Sequence, residues 1–327
     1  MENFVQYCLR TGGVIKPLII PSDFTNGTGL FNPSVFVDDD GSILVNIRHC
    51  QYTLYHSERG KYEHQWGPLL YLNPENDISL TTTNYFCKLK ENLDIEKIYE
   101  INTSNLDVKP LWTFVGLEDS RIVKWNDKYY ISGVRRDTTH NGEGRMELSE
   151  LNYPSMPLKE ISRFRIPAPG KDDTYCEKNW MPIQDQPFHY MKWSNPVEIV
   201  KYDPDEKTTT TVHLGEHDPN LSYSLRGGSQ VIPYKGGYLA LHHITHLFRS
   251  EAGRKNAIYR HQITHWDKDW NVIKRSKVFD FMDASIEFAC GIAKHNNNYL
   301  ITFGFQDNAA FILKISENAL EEFIDAK

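Results

Sequence analysis

Apolar and polar positions along the chain repeat in a hairpin-like pattern. A polar lead-in is followed by a stretch rich in β-branched and aromatic residues, a short polar turn, and a second apolar stretch. Five copies occur, over Asn32–Arg48, Glu118–Arg136, Lys178–Trp193, Arg226–His243 and Glu287–Asp307. Their turns read DDDG, WNDK, QDQP, YKGG and HNNN, which differ in sequence but share turn-forming chemistry. Further strand pairs lie between copies, including 197–215 and 259–281, and supply two outer strands to a hairpin. A four-stranded unit repeated around an axis is a propeller blade. The expected fold is therefore all-β, a five-bladed β-propeller of four-stranded antiparallel blades in a single domain over residues 1–327.

Only Phe311–Ile315 follows the last hairpin as strand, so the fifth blade is expected to borrow an amino-terminal strand from within Val14–Ile20, which buries both edges. Helical periodicity is nearly absent. The one amphipathic stretch, about 316–325, opens on Ser316 as a cap. A β-sandwich satisfies the same alternation, because all-β proteins in general are built from hairpins.

Composition narrows the function classes. A formal net charge of -7 argues against broad binding to nucleic acid or an anionic membrane, each of which calls for a basic face. The amino-terminal stretch carries Glu2 and no long apolar run, so it reads as neither a secretory signal nor a membrane span, and a cytoplasmic location is expected. Cys8, Cys50, Cys87, Cys176 and Cys290 form no CxxC pair and read as reduced thiols.

In a radial arrangement the lead-ins and the ends of the returning strands converge at one mouth of the axis. The lead-ins supply Asn32, Glu118, Asp119, Arg121, Lys178, Asn179, Arg226 and Glu287. The strand ends supply Arg48, Arg135, Arg136, His242, His243, Gln306 and Asp307. Carboxylates, cations and aromatics such as Trp112, Trp180, Tyr223 and Phe305 together suit a sugar, whose hydroxyls need donors and acceptors while its apolar face stacks on a ring. Guanidinium groups at Arg48, Arg136 and Arg226 with Lys178 also suit a phosphate. Loops Gly142–Arg145, Asp172–Tyr175 and Leu247–Lys255 are the expected rim.

Plainer readings compete. Glu118–Arg121 can be a structural ion pair at a blade start, and Arg48 and Arg136 can be solvated surface residues. His242 with His246, or His261 with His265, lacks the neighbouring Glu or Cys cluster of a metal site, so no metal is expected. Arg226-Gly-Gly-Ser lacks the Gly-Lys-Ser/Thr and the helix of a phosphate loop and reads as a tight turn.

Gly116-Leu-Glu-Asp-Ser-Arg-Ile resembles the Gly-x-Glu-Asp-Pro-Arg signature of family 130 of the glycoside hydrolases, the five-bladed β-mannoside phosphorylases, and of the related mannosyltransferase and phosphorylase family 108. The likeness extends through Asn32-Pro33 and Arg48, Lys178, Gly237-Tyr-Leu-Ala-Leu-His-His and Gly304-Phe-Gln-Asp, in the family's order. It implies an inverting enzyme with Asp119 as general acid, protonating the departing oxygen through a sugar hydroxyl. Glu118 would hold sugar hydroxyls, and Arg48, Arg136, Lys178 and His243 would hold the attacking phosphate. The expected sugar contacts are Asn32, Glu118, Arg121, Asn179, Trp180, Glu287 and Asp307; the expected phosphate contacts are Arg48, Arg135, Arg136, Lys178, Arg226 and His243.

No cofactor is expected beyond inorganic phosphate or a nucleotide sugar as co-substrate. A phosphate nucleophile is already anionic and needs no second carboxylate, whereas a hydrolase would use Glu287 or Asp307 as base. Transfer from a nucleotide sugar and non-catalytic sugar binding remain alternatives. Two positions depart from the family: Ser120 replaces Pro, and His242-His243-Ile replaces His-Gly-Val.

Overall fold

The structure is a computed structural model that describes residues 2–25, 29–53, 63–64, 67–68, 70–71, 79–170, 176–249 and 255–326. The proposed rim positions 172–175 and 250–254 lie outside the described residues. The expected architecture is present as five antiparallel blades around one axis.

Blade 1 contains Leu30–Val37, Ile43–Cys50, Leu80–Leu89 and Ile95–Glu100, and blade 2 contains Glu118–Trp125, Lys128–Arg135, Arg145–Leu151 and Glu160–Ile166. Blade 3 contains Met181–Pro182, His189–Ser194, Val197–Asp203 and Thr208–Leu214. In blade 4 the first strand is split into Arg226–Gly227 and Ile232–Tyr234, followed by Gly237–Arg249, Lys255–Trp266 and Val272–Arg275. Blade 5 uses Glu287–His295, Asn298–Phe305 and Ala309–Ser316, and its outermost strand is Val14–Pro17, paired antiparallel with Val14 opposite Lys314. That closure ties the start of the described chain to its last strand, as the single short tail after the fifth hairpin requires.

Besides the split first strand of blade 4 and a short helix at Ser22–Thr25, two further features depart from the sequence reading. Phe114–Val115 adds a short parallel pairing to blade 1, opposite Leu80 and Thr81. An unexpected helix, Phe4–Arg10, precedes the closing strand and begins with a capping box in which Asn3 and Gln6 exchange side-chain and backbone bonds. Its Phe4 ring packs 4.8 Å from Phe279 and 4.7 Å from Phe323 of the carboxyl-terminal helix Glu317–Asp325, whose cap is Ser316 as expected. No helix among the described residues is long and apolar enough to cross a membrane.

Registers place the lead-ins of blades 1, 2, 4 and 5 against strand ends. Phe31 lies opposite Arg48, Glu118 opposite Val134, Arg226 opposite His243 and Glu287 opposite Phe305. The first strands of blades 1 and 2 are bulged at matching places, and Asn32 (φ 47°) and Asp119 (φ 48°) sit in the left-handed region there. Asn and Asp are the non-glycine residues that tolerate this conformation best, and a bulge re-aims the side chain it carries.

Below this mouth the axis is sealed by a buried amide. Gln230 Nε2 donates to Val35 O of blade 1 and Ile122 O of blade 2, each at 2.9 Å, while its Oε1 accepts from Ile292 N of blade 5 at 3.3 Å. One residue of blade 4 therefore satisfies backbone groups of three other blades.

Candidate active site

The mouth holds a chain of alternating charges built from two blades. Asp119 Oδ1 accepts from Asn32 Nδ2 at 2.7 Å and from Arg48 Nη1 at 2.9 Å. The other terminal nitrogen of Arg48 lies 3.6 Å from Glu118 Oε2, and Glu118 Oε1 accepts from Arg136 Nε at 3.2 Å. Arg48 is not a solvated surface residue. It is 6% exposed, its guanidinium lies 4.9 Å from the centroid of the Phe31 ring, and its Nε donates to Thr82 Oγ1 at 3.3 Å. Two carboxylates adjacent in sequence diverge because the bulge turns Asp119 toward blade 1 and leaves Glu118 between two arginines.

Their electrostatics diverge as well. Burial pushes the Asp119 carboxyl up, but the Arg48 charge, the Asn32 bond and the nearby Arg121 together hold it below the ordinary range. Asp307 goes the other way: burial, then repulsion from Asp119, raises it to about 7, with Arg48 opposing. Gln306 and Asp307 both have positive φ, and Asn308 N closes the turn on Phe305 O at 3.0 Å, which presents Asp307 from blade 5 to the cluster. Tyr259 joins the same field, feeling Asp307, Asp119 and Arg226, and burial lifts its hydroxyl to about 12.

On the blade 4 side, His243 stacks on Tyr259 with ring centroids 5.4 Å apart, and its Nδ1 lies 2.9 Å from Gly227 O. A carbonyl only accepts, so Nδ1 carries the proton. Burial, with His261, Arg226 and Lys178 nearby, pushes the ring well below its ordinary range, so His243 is neutral and its Nε2 is an acceptor. That corrects its expected role as a cation. Arg226 and exposed Lys178 have no ion-pair partner among the described residues, which leaves their charge available to an anion.

Several predicted residues lie elsewhere. Arg121 is fully buried under the mouth, donating to Gly228 O at 2.8 Å and to Asp119 O, so it props the Asp119 backbone and is sealed from solvent. Arg135 is 3% exposed and paired with Glu147 at 2.8 Å and Asp137 at 3.3 Å inside blade 2. Trp180 belongs to the core of blades 2 and 3, with its Nε1 on Glu177 at 2.9 Å. Glu287 accepts backbone N–H bonds from Phe281, Met282 and Ala284 at 2.6 to 3.0 Å, which occupies it as a loop clamp. Asn179, with φ 61°, presses its carbonyl against Gly227, where a Cβ would approach that oxygen to 1.7 Å.

Two of the candidate metal histidines use one ring nitrogen each inside the protein. His242 Nδ1 lies 3.1 Å from Ser194 Oγ, and His261 Nε2 accepts from Ala289 N at 3.2 Å. Tyr259, Phe31 and Gln230 escaped sequence reading because nothing local distinguishes them from core residues.

No protein-family model matches the chain, and no curated protein matches its sequence. Solved structures do. A β-1,2-mannobiose phosphorylase from Listeria innocua, in complex with β-1,2-mannobiose, superposes with a TM-score of 0.56 at 15% identity, covering 96% of this chain and 97% of that one. The chain has the fold of the mannoside phosphorylases. MPT-4, a mannose phosphorylase from Leishmania mexicana in complex with phosphate ion, matches with a TM-score of 0.52 at 13% identity, over 98% of this chain and 93% of that one. A structure from the work describing glycoside hydrolases within that family of mannoside phosphorylases, which target β-1,2 mannosidic linkages in Candida mannan, matches at 0.59 and 14% identity over 97% and 90%. Within this mannoside-phosphorylase fold, the acidic pair Glu118 and Asp119 lies at the axial mouth, on the first strand of blade 2.

Proposed function

We propose that this protein is a carbohydrate-active enzyme that cleaves β-mannosides with inorganic phosphate and inverts the anomeric configuration. The observation that carries the reading is Arg48, bridging Asp119 at 2.9 Å and Glu118 at 3.6 Å, in a site where Lys178 and Arg226, without an ion-pair partner among the described residues, lie near His243. A phosphate oxygen forms the new bond to the anomeric carbon as the glycosidic C–O bond breaks. The departing oxygen takes a proton that originates on Asp119 and passes through a sugar hydroxyl. Glu118 accepts from the substrate's hydroxyls, and Arg136 orients Glu118.

An Asp held below the ordinary carboxylate range is a poor acid in the empty site. Phosphate changes that balance: an anion on Arg48 draws away the charge that keeps Asp119 ionised and adds negative potential of its own. Both effects raise the Asp119 pKa. The acid is thus protonated chiefly when the nucleophile is present, which disfavours wasteful hydrolysis. Incubation with β-mannobioses and phosphate is expected to release mannose 1-phosphate. D119N should lower kcat by roughly 10²- to 10⁴-fold, the usual contribution of a general acid. Wild-type protein without phosphate-dependent turnover on any mannoside would overturn the reading.

A hydrolytic reading rests on Asp307. A carboxyl raised to about 7 next to an ionised Asp119 is suited to exchanging a proton with water. Release of free mannose in phosphate-free buffer, lost in D307N, would favour it over phosphorolysis.

A further inference from the structure

Trp112 lies in the connection from blade 1 to blade 2 and is held on two sides. Its Nε1 donates to Thr139 O at 2.8 Å. One face of the indole rests on Gly142, where a Cβ would come within 3.0 Å of ring Cδ2 and 3.2 Å of Cε2. The residue is nevertheless 43% exposed. A large ring whose polar tip is satisfied and whose one face is covered, with the rest open to solvent, is a fixed platform and not a core residue.

The loop beneath it is cross-linked by hydrogen bonds and reaches the acidic pair. Thr139 Oγ1 donates to Arg136 O at 2.8 Å and Glu143 O at 3.0 Å, and Leu111 N donates to Asp137 O at 2.7 Å. Arg136 reaches both ways, from Glu118 Oε1 to Gly142 O at 3.5 Å. The indole therefore rests on the residue whose carbonyl accepts from the guanidinium that orients Glu118. On the proposed reading the departing oxygen meets Asp119 and the phosphate meets Arg48, and the Glu118–Arg136 pair that leads to Trp112 is left to border the sugar across the scissile oxygen.

We propose that Trp112 is the stacking platform for the sugar on the leaving side of the scissile bond, and so a determinant of which glycosides are cleaved. The proposal rests on the glycoside-cleaving reading of this site. Gly142 belongs to it: any side chain there would displace the ring. The chemistry matched is the apolar face of a pyranose, with the Arg136 and Glu118 side available for its hydroxyls.

Calorimetric titration of β-mannobioses, mannose 1-phosphate and inorganic phosphate into wild-type, W112A and W112F proteins tests this. W112A should weaken mannobiose binding by about tenfold and W112F by less, with mannose 1-phosphate and phosphate within about twofold of wild type. Melting temperature checks that each variant is folded. Mannobiose affinity indifferent to Trp112, or an equal loss for phosphate, overturns the platform and leaves the parent reading intact. Wild-type protein that binds phosphate but no mannoside overturns that reading, and the platform with it.

Discussion

Ser120 stands where the resembled signature has proline, and its surroundings account for the exchange. Its hydroxyl donates to Asn84 Oδ1 at 3.0 Å and accepts from Asn46 Nδ2 at 2.8 Å, while Asn84 Nδ2 donates to Leu117 O at 2.9 Å. The buried triad braces the backbone on both sides of Glu118 and Asp119. S120A should cost about 1 to 3 kcal/mol in urea denaturation, because it leaves one buried N–H of Asn46 unpaired, the other still donating to Asn84 Oδ1. Asp307 gives a test of the opposite kind. Folded, it takes up its proton at about 7; unfolded, near 3.8, so between those values the native state binds more protons and loses stability as pH rises. D307N lacks that penalty, and its melting temperature should gain on wild type from about pH 5 to about pH 8. An equal offset at all pH values would show that Asp307 is not raised.

At the level of elements, the strand closing blade 5 and the helix before it act together. Phe4 is fully buried against Phe279, Phe281 and Phe323, so the helix Phe4–Arg10 staples the borrowed strand Val14–Pro17 to blade 4 and the carboxyl-terminal helix. F4A should destabilise the protein by about 3 to 5 kcal/mol. Limited proteolysis of this variant should cut first near residues 11–20, where the closing strand peels away. The helix escaped the sequence reading because two turns give too short a window for periodicity, although Asn3 and Gln6 were a usable capping signal. The split first strand of blade 4 was hidden for another reason. A Cβ at Gly228 would lie 2.4 Å from Leu241 O, so Gly227-Gly228 records close approach of two backbones, which the pattern alone reads as a turn.

For the whole molecule, three histidines buried around blade 4 oppose acid. Burial pushes His242 and His261 to about 3 and His243 well below 6.5. The unfolded chain therefore takes up protons below about 6.5 that the folded one refuses, and stability present above that pH is lost as pH falls through it. Melting temperature should drop from about pH 7 to about pH 5 more steeply in wild type than in H242Q. Q230L should lower it at every pH, since the axis then loses bonds to blades 1, 2 and 5 together.

Hairpin recurrence, turn chemistry and the missing closing strand were legible along the chain because each is local: alternation reports which face is buried, and a turn reports its own dihedrals. The convergence of Asn32, Arg48, Glu118, Asp119, Arg136 and Asp307 followed from the repeat, since equivalent positions of radial blades share an end. Burial did not follow. Arg121, Arg135, Trp180 and Glu287 occupy lead-in or strand-end positions like the others, yet the fold turns them into the axis, a blade interior or a loop clamp. Side-chain type and spacing state what a residue is able to do, but whether it faces substrate or protein depends on atoms brought from distant parts of the chain. The opposed protonation of Asp119 and Asp307 was decided there too, by which of two chemically identical carboxylates packed against Arg48.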